Sequence, residues 1–178
     1  MPAIDPAARF ELAIPTARGE FTARYSARGL AGLSFPRPAS APRERPAIPH
    51  DRLHQIAAWH RLASRALKMI LTGRVPLDLP PLDVTGGTDF QRRVWVALQA
   101  IPPGRTASYG ELARAIGRPR ACRAVGGACG ANPIVVLIPC HRALAANGRL
   151  GGFSGGLDWK RTLLAVEGVN LAGSAPRS

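Results

Sequence analysis

The stretch Ile134-Val-Val-Leu-Ile-Pro-Cys-His-Arg142 is the one around which the chain is organised. Its five leading apolar residues are typical of a short buried strand. Pro139 has no amide hydrogen to give to a sheet, so the strand should end there. The sequence therefore predicts that Cys140, His141 and Arg142 stand at the end of a buried strand, where a packed scaffold meets a cavity.

Cys140 and His141 together suggest a nucleophilic site, because a thiolate attacks where a thiol does not. A free cysteine titrates near ~8.5, and lowering its pKa by about two units takes roughly 2.7 kcal/mol from its surroundings. Neighbours on extended backbone point to opposite faces, so the two side chains should need a turn or a bridging water to communicate. The other interpretation is an inert buried thiol.

The balance of charge is the sharpest feature of the composition. The 178 residues include 24 Lys and Arg against 11 Asp and Glu, a formal net charge of +13. This excess favours contact with a phosphate backbone, although a generally basic surface would look the same. No apolar run approaches the ~20 residues of a membrane span, and no leader is evident, so a cytoplasmic protein is expected.

The residues that commonly bind metals do not form a recognisable site. Cys122, Cys129 and Cys140 fit no zinc spacing. His50 and His54 are spaced to share a helix face and could ligate a metal, but a solvated helix face is the favoured interpretation. No metal and no cofactor are predicted.

The first half of the chain is predicted to be a small domain, residues 1–85. Residues 8–35 should form an antiparallel meander, with strands at 20–25 and 30–35. Residues 36–49 contain five prolines and are predicted to be a surface linker. An amphipathic helix should then open at His50 or Asp51 and end at Gly73. Its predicted buried stripe is Leu53, Ile56, Ala57, His60, Ser64, Leu67 and Leu71.

The second domain, residues 86–178, is predicted to be mainly helical. Thr88–Gln91 and Ser108–Glu111 are capping boxes, each opening a helix. The second of these helices should stop at Gly117, and Pro119 is well placed to start the next one. Two helices joined by so tight a connection indicate a helix-turn-helix.

The outer face of the second helix of this pair carries almost no bulk around Arg123. Gly126, Gly127 and Gly130 share that face, and two adjacent glycines cost about 2 kcal/mol of helix propensity. Close approach to a nucleic-acid backbone explains the glycines. Tight packing between helices is the alternative.

These motifs together resemble the O6-alkylguanine-DNA alkyltransferase family, the methylated-DNA–protein-cysteine methyltransferases. Pro-Cys-His-Arg at 139–142 is preceded by Arg-Ala-Val-Gly-Gly-Ala at 123–128 and by Asn132-Pro133. The resemblance extends over roughly residues 86–170 and includes the following segments: 86–91, 101–104, Ser108-Tyr109, Phe153-Ser-Gly-Gly156, Lys160, Leu163-Leu164 and Glu167.

The resemblance implies an α+β fold. Its first domain would be a ribonuclease-H-like α/β domain with a small antiparallel sheet but without that fold's catalysis. Its second, mainly helical domain would contain the helix-turn-helix. Some similar proteins hold a structural zinc through cysteines of the first domain. This chain has no cysteine before Cys122, so none is expected here.

The activity implied by the resemblance is direct reversal of DNA damage. Cys140 would take the alkyl group from O6-alkylguanine in duplex DNA, and also from O4-alkylthymine, in an irreversible single turnover. His141 would deprotonate the thiol through a water, and Glu167 would orient His141. Asn132 would act as a hinge residue through hydrogen bonds to turn backbone.

The resemblance also assigns the contacts with DNA. Arg123 would fill the gap left by the flipped nucleotide, from the minor-groove side, while Tyr109 presses on the neighbouring phosphate. Binding would be independent of sequence, and the protein a monomer, with cooperative assembly on DNA left open. The residues of the helix implied to contact DNA are Arg123, Ala124, Gly126, Gly127, Ala128 and Gly130.

The substrate pocket would lie along the glycine-rich loop after the nucleophile, with Phe153, Ser154, Gly155 and Ala143 as its residues. The Ser154 amide would contact guanine O6, and carbonyls near Cys140 and Ala143 would accept from the exocyclic amine. Phe153 stands where many relatives carry Tyr, which should change pocket polarity modestly. Cys122 and Cys129 match no catalytic position and are predicted to be helix-packing thiols.

Other functions are less compatible with the sequence. An unreactive protein that binds alkyl lesions would carry another residue in place of Cys140. A helix-turn-helix regulator would need a sensor domain and more base-reading side chains. A cysteine protease does not usually have its Cys and His adjacent.

Overall fold

The computed structural model describes residues 10–36 and 50–170, which fall into two compact units. The first unit contains residues 10–36, 50–70, 75–86 and 133–135, and the second contains 71–74, 87–132 and 136–170. All of the predicted proline-rich linker except Pro36 lies outside the described residues, as does the side chain of His50.

The first unit is built on an antiparallel sheet with strand order β1-β2-β3. The strands are β1 (Phe10–Thr16), β2 (Gly19–Ser26) and β3 (Gly29–Ser34), which confirms the predicted meander. Helix α1 (His50–Ile70) follows, and the Tyr25 hydroxyl lies 3.1 Å from His60 Nδ1, tying β2 to α1.

Helix α1 is amphipathic, and its buried stripe overlaps the predicted one at Ile56 and Leu67, with Leu71 buried just after the helix. Ile56, Ala63, Leu67 and Ile70 are buried, whereas Leu53 is 43% exposed and Ser64 is half-buried. The prediction for Leu53 is therefore wrong. The spacing of apolar residues predicted the helix correctly. It did not predict which turns of the helix would be buried, because burial depends on tertiary packing.

The second unit is mainly helical, which confirms the predicted mixture of a small antiparallel sheet and a helical second part. Its helices are α2 (Asp89–Gln99), α3 (Tyr109–Ala115), α4 (Cys122–Gly130) and α5 (Leu157–Val166). Two short strands, β4 (Ala107–Ser108) and β5 (Ala143–Leu144), pair in parallel. No helix in the described part of the chain is long and apolar enough to cross a membrane.

Both predicted capping boxes are present at the N-termini of α2 and α3. The Gln91 amide donates to Thr88 Oγ1 at 3.2 Å, and the Thr88 amide donates to Gln91 Oε1 at 2.9 Å. Ser108 and Glu111 repeat the arrangement, with amide-to-side-chain distances of 3.1 and 2.6 Å. Each box satisfies first-turn amides that a helix leaves without partners.

The prediction that Pro119 starts the next helix is wrong, because α4 begins only at Cys122. After α3 the Arg118 amide donates to the Ala113 carbonyl at 2.8 Å, and the Ala121 amide donates to the Arg118 carbonyl at 2.9 Å. The first bond ends α3 with one of its own carbonyls, and the second closes the turn in which Pro119 lies.

The predicted strand at 134–138 is also wrong. All five residues are buried, but only Ile134 forms a bridge, with Leu33, and Val136 has a φ of 71°. A short apolar run indicates burial without fixing the backbone, and here the backbone is a buried turn. Cys140–Arg142 follow as a short 3-10 helix, which leads into β5.

Candidate active site

Cys140 lies in this 3-10 turn and is held by Asn132. The thiol is only 3% exposed, and Asn132 Nδ2 donates to Cys140 Sγ at 3.1 Å. The same amide nitrogen donates to the Ile138 carbonyl at 2.8 Å. Asn132 follows the end of α4, so one buried amide joins that helix end to the turn that carries the thiol.

His141, the next residue, is paired with Glu167 at the C-terminus of α5. His141 Nε2 lies 3.0 Å from Glu167 Oε1, and the two side chains are 0% and 3% exposed. His141 Nδ1 is buried and has no protein partner among the described residues. With Nε2–H donating to the carboxylate, Nδ1 keeps its lone pair and can accept a proton.

Burial sets the protonation of both residues in the free protein. It raises the pKa of the Cys140 thiol, although the Asn132 hydrogen bond and the Lys160 charge oppose it. It lowers the pKa of His141, against the effect of Glu167. The shift is thus opposite in direction to the lowering that would favour a thiolate at Cys140. The free site holds a neutral thiol beside a neutral imidazole.

Arg142, to which sequence reasoning gave no role, binds the same carboxylate. Its Nε lies 3.0 Å from Glu167 Oε2 and its Nη2 lies 2.8 Å from Oε1. Burial alone would raise the pKa of Glu167, but hydrogen bonds from His141 and Arg142 hold it at about 2. Glu167 is thus a fixed anion.

Lys160 is a second polar residue of the site, which sequence reasoning named in the resemblance without giving it a role. It is 0% exposed, and its Nζ donates to the carbonyls of Ala143, at 2.6 Å, and Leu150. Burial lowers its pKa to about 8. Helical spacing could have found it, because Lys160 lies one turn before the buried Leu163 and Leu164.

Tyr109 stands between α4 and the glycine-rich loop. A Cβ added at Gly126 would lie 3.5 Å from the Tyr109 ring, and one added at Gly151 would lie 2.9 Å from its hydroxyl. In the loop itself Phe153 and Gly155 are half-buried and Ser154 is exposed. Ala143, in β5, is fully buried.

The outer face of α4 is exposed and nearly flat. Arg123, Ala124, Gly127 and Gly130 are exposed and Gly126 is half-buried, whereas Ala128 is buried, which contradicts its prediction as a DNA contact. Nothing lies within 4 Å of a Cβ added at Gly127 or Gly130. Packing among the described residues therefore does not explain these two glycines.

The two remaining cysteines differ in environment. Cys129 is buried, as a helix-packing thiol should be, but Cys122 is exposed at the first position of α4. Cys122 is therefore not a buried thiol, although its Sγ lies against α3, 3.8 Å from the position of a Cβ added at Gly110.

Comparison with known proteins gives a consistent set of relatives. The family model described as "6-O-methylguanine DNA methyltransferase, DNA binding domain" matches residues 89–169. The methylated-DNA–protein-cysteine methyltransferase of Mycolicibacterium paratuberculosis is 62% identical over 81 residues, 46% of this chain and 49% of the relative. That of Methanosarcina barkeri is 45% identical over 127 residues, 70% of this chain and 77% of the relative. The chain spans about half the length of several curated relatives it matches, including that of Salmonella typhimurium at 51%.

Solved structures match over more of the chain. The crystal structure of Mycobacterium tuberculosis OGT in complex with DNA has a TM-score of 0.71 and 37% identity, and the match covers 89% of this chain and 92% of that one. O6-methylguanine-DNA methyltransferase from Pyrococcus kodakaraensis has a TM-score of 0.55 and 25% identity, over 91% of this chain and all of that one.

Proposed function

The chain belongs to the methylated-DNA–protein-cysteine methyltransferase family, and we propose that it repairs DNA by transferring the alkyl group of O6-alkylguanine to its own Cys140. One observation carries the proposal. A buried thiol accepts a hydrogen bond from Asn132, and the adjacent His141 has one nitrogen on Glu167 and the other free. The thiol is thus placed next to a neutral base whose orientation is fixed.

The proposed chemistry is an in-line displacement. Cys140 Sγ attacks the alkyl carbon, a bond between sulfur and carbon forms, and the bond from carbon to guanine O6 breaks. The thiol proton passes through a water to His141 Nδ1, and the imidazolium that forms is stabilised by Glu167. The departing guanine anion takes up a proton at N1 from solvent, and the His141 imidazolium releases the thiol proton to solvent, so the protons balance. The thioether has no easy hydrolytic return, so each molecule reacts once.

The neutral resting state fits this sequence of events. The free protein does not hold a buried thiolate, which would be costly without a partner. Proton transfer from Cys140 to His141 is instead coupled to the arrival of the base. Because only 3% of Cys140 is exposed, the proposal includes a rearrangement at the mouth of the site when the base enters.

A lesion inside a duplex must leave the base stack before a buried thiol can reach it. We assign Arg123 to the gap left in the duplex, since it is exposed on the flat face of α4. Tyr109 would press on the adjacent phosphate and rotate the nucleotide, because its ring already lies between α4 and the loop. In this account α3 and α4 act as a helix-turn-helix, and the sheet with α1 corresponds to the ribonuclease-H-like domain.

The small outer residues of α4 suit the minor groove. That groove is narrow, and its pattern of donors and acceptors says little about sequence, as a repair protein requires. Ala124, Gly126, Gly127 and Gly130 would approach the backbone, whereas the buried Ala128 would not. The proposed partner is therefore double-stranded DNA, bound without sequence preference. We propose separately that the protein acts as a monomer in the cytoplasm and needs no cofactor.

The pocket would select guanine through backbone groups. The exposed Ser154 amide would donate to O6, and the half-buried Phe153 would form an aromatic wall. The Ala143 carbonyl already accepts from Lys160 Nζ, and its second lone pair is left for the exocyclic amine of guanine. O4-alkylthymine, whose alkyl oxygen occupies a similar position, is a second proposed substrate.

Stoichiometry tests the proposal. A duplex containing O6-methylguanine, in excess over protein, should lose one methyl group per protein molecule and then no more. Cys140→Ser should remove none, whereas Cys122→Ser, the matched control at an exposed thiol, should behave as wild type. Continued turnover, or demethylation by Cys140→Ser, would refute the proposal.

A further inference from the structure

We propose that Arg142 is a positioning residue of the transfer reaction: its guanidinium fixes the Glu167 carboxylate and gives the His141–Glu167 pair its working charge balance. This inference rests on the proposed function and deepens it. It concerns a residue that never touches the substrate but acts through the base.

Arg142 binds both oxygens of the Glu167 carboxylate and so holds its orientation. The Arg142 side chain is 9% exposed, and its Nη1 donates to the Ile101 carbonyl at 2.5 Å while Nε and Nη2 bind the carboxylate. The Gly104 amide approaches Glu167 Oε2 at 3.4 Å. A carboxylate at a helix terminus would otherwise rotate, but here both oxygens are held by a planar fork.

Oε1 of Glu167 is the point where the two interactions meet. It accepts from His141 Nε2 at 3.0 Å and from Arg142 Nη2 at 2.8 Å. A rotation of the carboxylate out of the Arg142 fork would therefore also displace the oxygen that the imidazole binds. The orientation of His141 Nδ1, which takes the thiol proton, depends on the fork through this shared atom.

The same pairing sets the charge that His141 experiences. The charged groups that face it are Glu167, Arg142 and Lys160. The Cys140 thiol, on the preceding residue, faces Lys160 and in turn acts on Cys129 and Tyr109. The buried Glu167 anion alone would draw a proton onto the imidazole. Burial is the largest cause that lowers the pKa of His141, and the Arg142 charge adds to it against the effect of Glu167, so His141 stays neutral and can act as a base.

Removing the Arg142 charge should shift the pH–rate profile in the same direction whether Cys140 or His141 is the residue that loses the proton. A nearby positive charge favours proton loss from a thiol and from an imidazolium alike, so the Arg142 charge acts in the same direction on Cys140 and on His141. Removing the Arg142 charge should therefore move the acid limb of the pH–rate profile to higher pH. If the role of Arg142 were purely structural, its replacement would lower the transfer rate by the same factor at every pH.

The test is the single-turnover rate of demethylation of an O6-methylguanine duplex as a function of pH. In R142Q the acid limb should move up by about one pH unit, a roughly tenfold loss at a pH on that limb. R142K keeps the charge but lacks the fork, so its limb should stay near the wild-type position while its rate falls. The matched control is R161Q, which removes an arginine of α5 whose partner, Asp158, is exposed.

The outcomes separate this inference from the proposed function. If wild type transfers no methyl group, the proposed function fails. If wild type reacts and the limb of R142Q does not move, only the role of Arg142 is overturned. Should R142Q fail to fold, R142K decides, because a wild-type rate in R142K would show that the fork is dispensable.

Discussion

Replacing Gly127 by Ala should change protein stability and DNA affinity in opposite directions. Gly127 lies inside α4, and no atom lies within 4 Å of the position its Cβ would take. Alanine in a helix interior is favoured over glycine by roughly 0.5–1 kcal/mol, and no clash opposes this gain. The free protein should therefore become more stable by about that amount.

The same methyl group should weaken binding if α4 lies against a DNA backbone. A close contact has no room for an added Cβ, so we expect the affinity for duplex DNA to fall about tenfold, near 1.4 kcal/mol. Denaturant unfolding measures the first effect, and fluorescence anisotropy with a labelled duplex at fixed salt measures the second. Ser64→Ala on α1 serves as the control, since it should raise helix propensity in the first unit without touching DNA binding.

Two results would refute this reasoning. If Gly127→Ala binds DNA as tightly as wild type, the flat face of α4 is not the contact surface. If Gly127→Ala destabilises the free protein, the added Cβ must clash with other atoms, and the space around Gly127 is not open. Either result would return the adjacent glycines to a structural explanation.

Three further substitutions test other parts of the account. Arg123→Ala should slow repair of a duplex at least tenfold more than reaction with free O6-benzylguanine, because only the duplex needs nucleotide flipping; equal losses would remove that role. Gly151→Ala should destabilise the protein by about 1 kcal/mol or more and slow transfer, since its φ is 65° and its Cβ would lie 2.9 Å from the Tyr109 hydroxyl; unchanged unfolding and rates would contradict this. Glu167→Gln should slow transfer with little change in DNA affinity and should flatten the acid dependence of stability. The pKa of Glu167 is about 2 in the folded wild type, against an ordinary value of 4.5. This difference contributes about 3 kcal/mol to the free energy of unfolding, which is present above pH 4.5 and lost as the pH falls towards 2. Parallel acid-unfolding curves for Glu167→Gln and wild type would refute it.

Signals that are local in sequence predicted local structure well. Thr88 and Ser108 each precede a partner at the third helical position, and both capping boxes form, because their hydrogen bonds involve only neighbouring residues. The strands of the meander follow equally from alternation and turn residues. The flat face of α4 was also readable, since glycines have no side chain whose direction must be guessed.

What sequence reasoning missed depends on contacts between distant segments. The apolar run 134–138 indicated burial correctly, but its turn conformation depends on a bridge from Ile134 to Leu33, about a hundred residues earlier. Arg142 and Lys160 look like surface cations until the carbonyls and the carboxylate that receive them are known. The raised pKa of Cys140 likewise follows from burial that no single segment reveals.

The central claim is that Cys140 is the residue that accepts the alkyl group, and peptide mapping by mass spectrometry tests it most directly. After reaction with a duplex that carries O6-methylguanine, one methyl group should be found on Cys140. None should be found on the exposed Cys122 or the buried Cys129. A methyl group on either of those residues, or restored guanine with unmodified Cys140, would contradict the account.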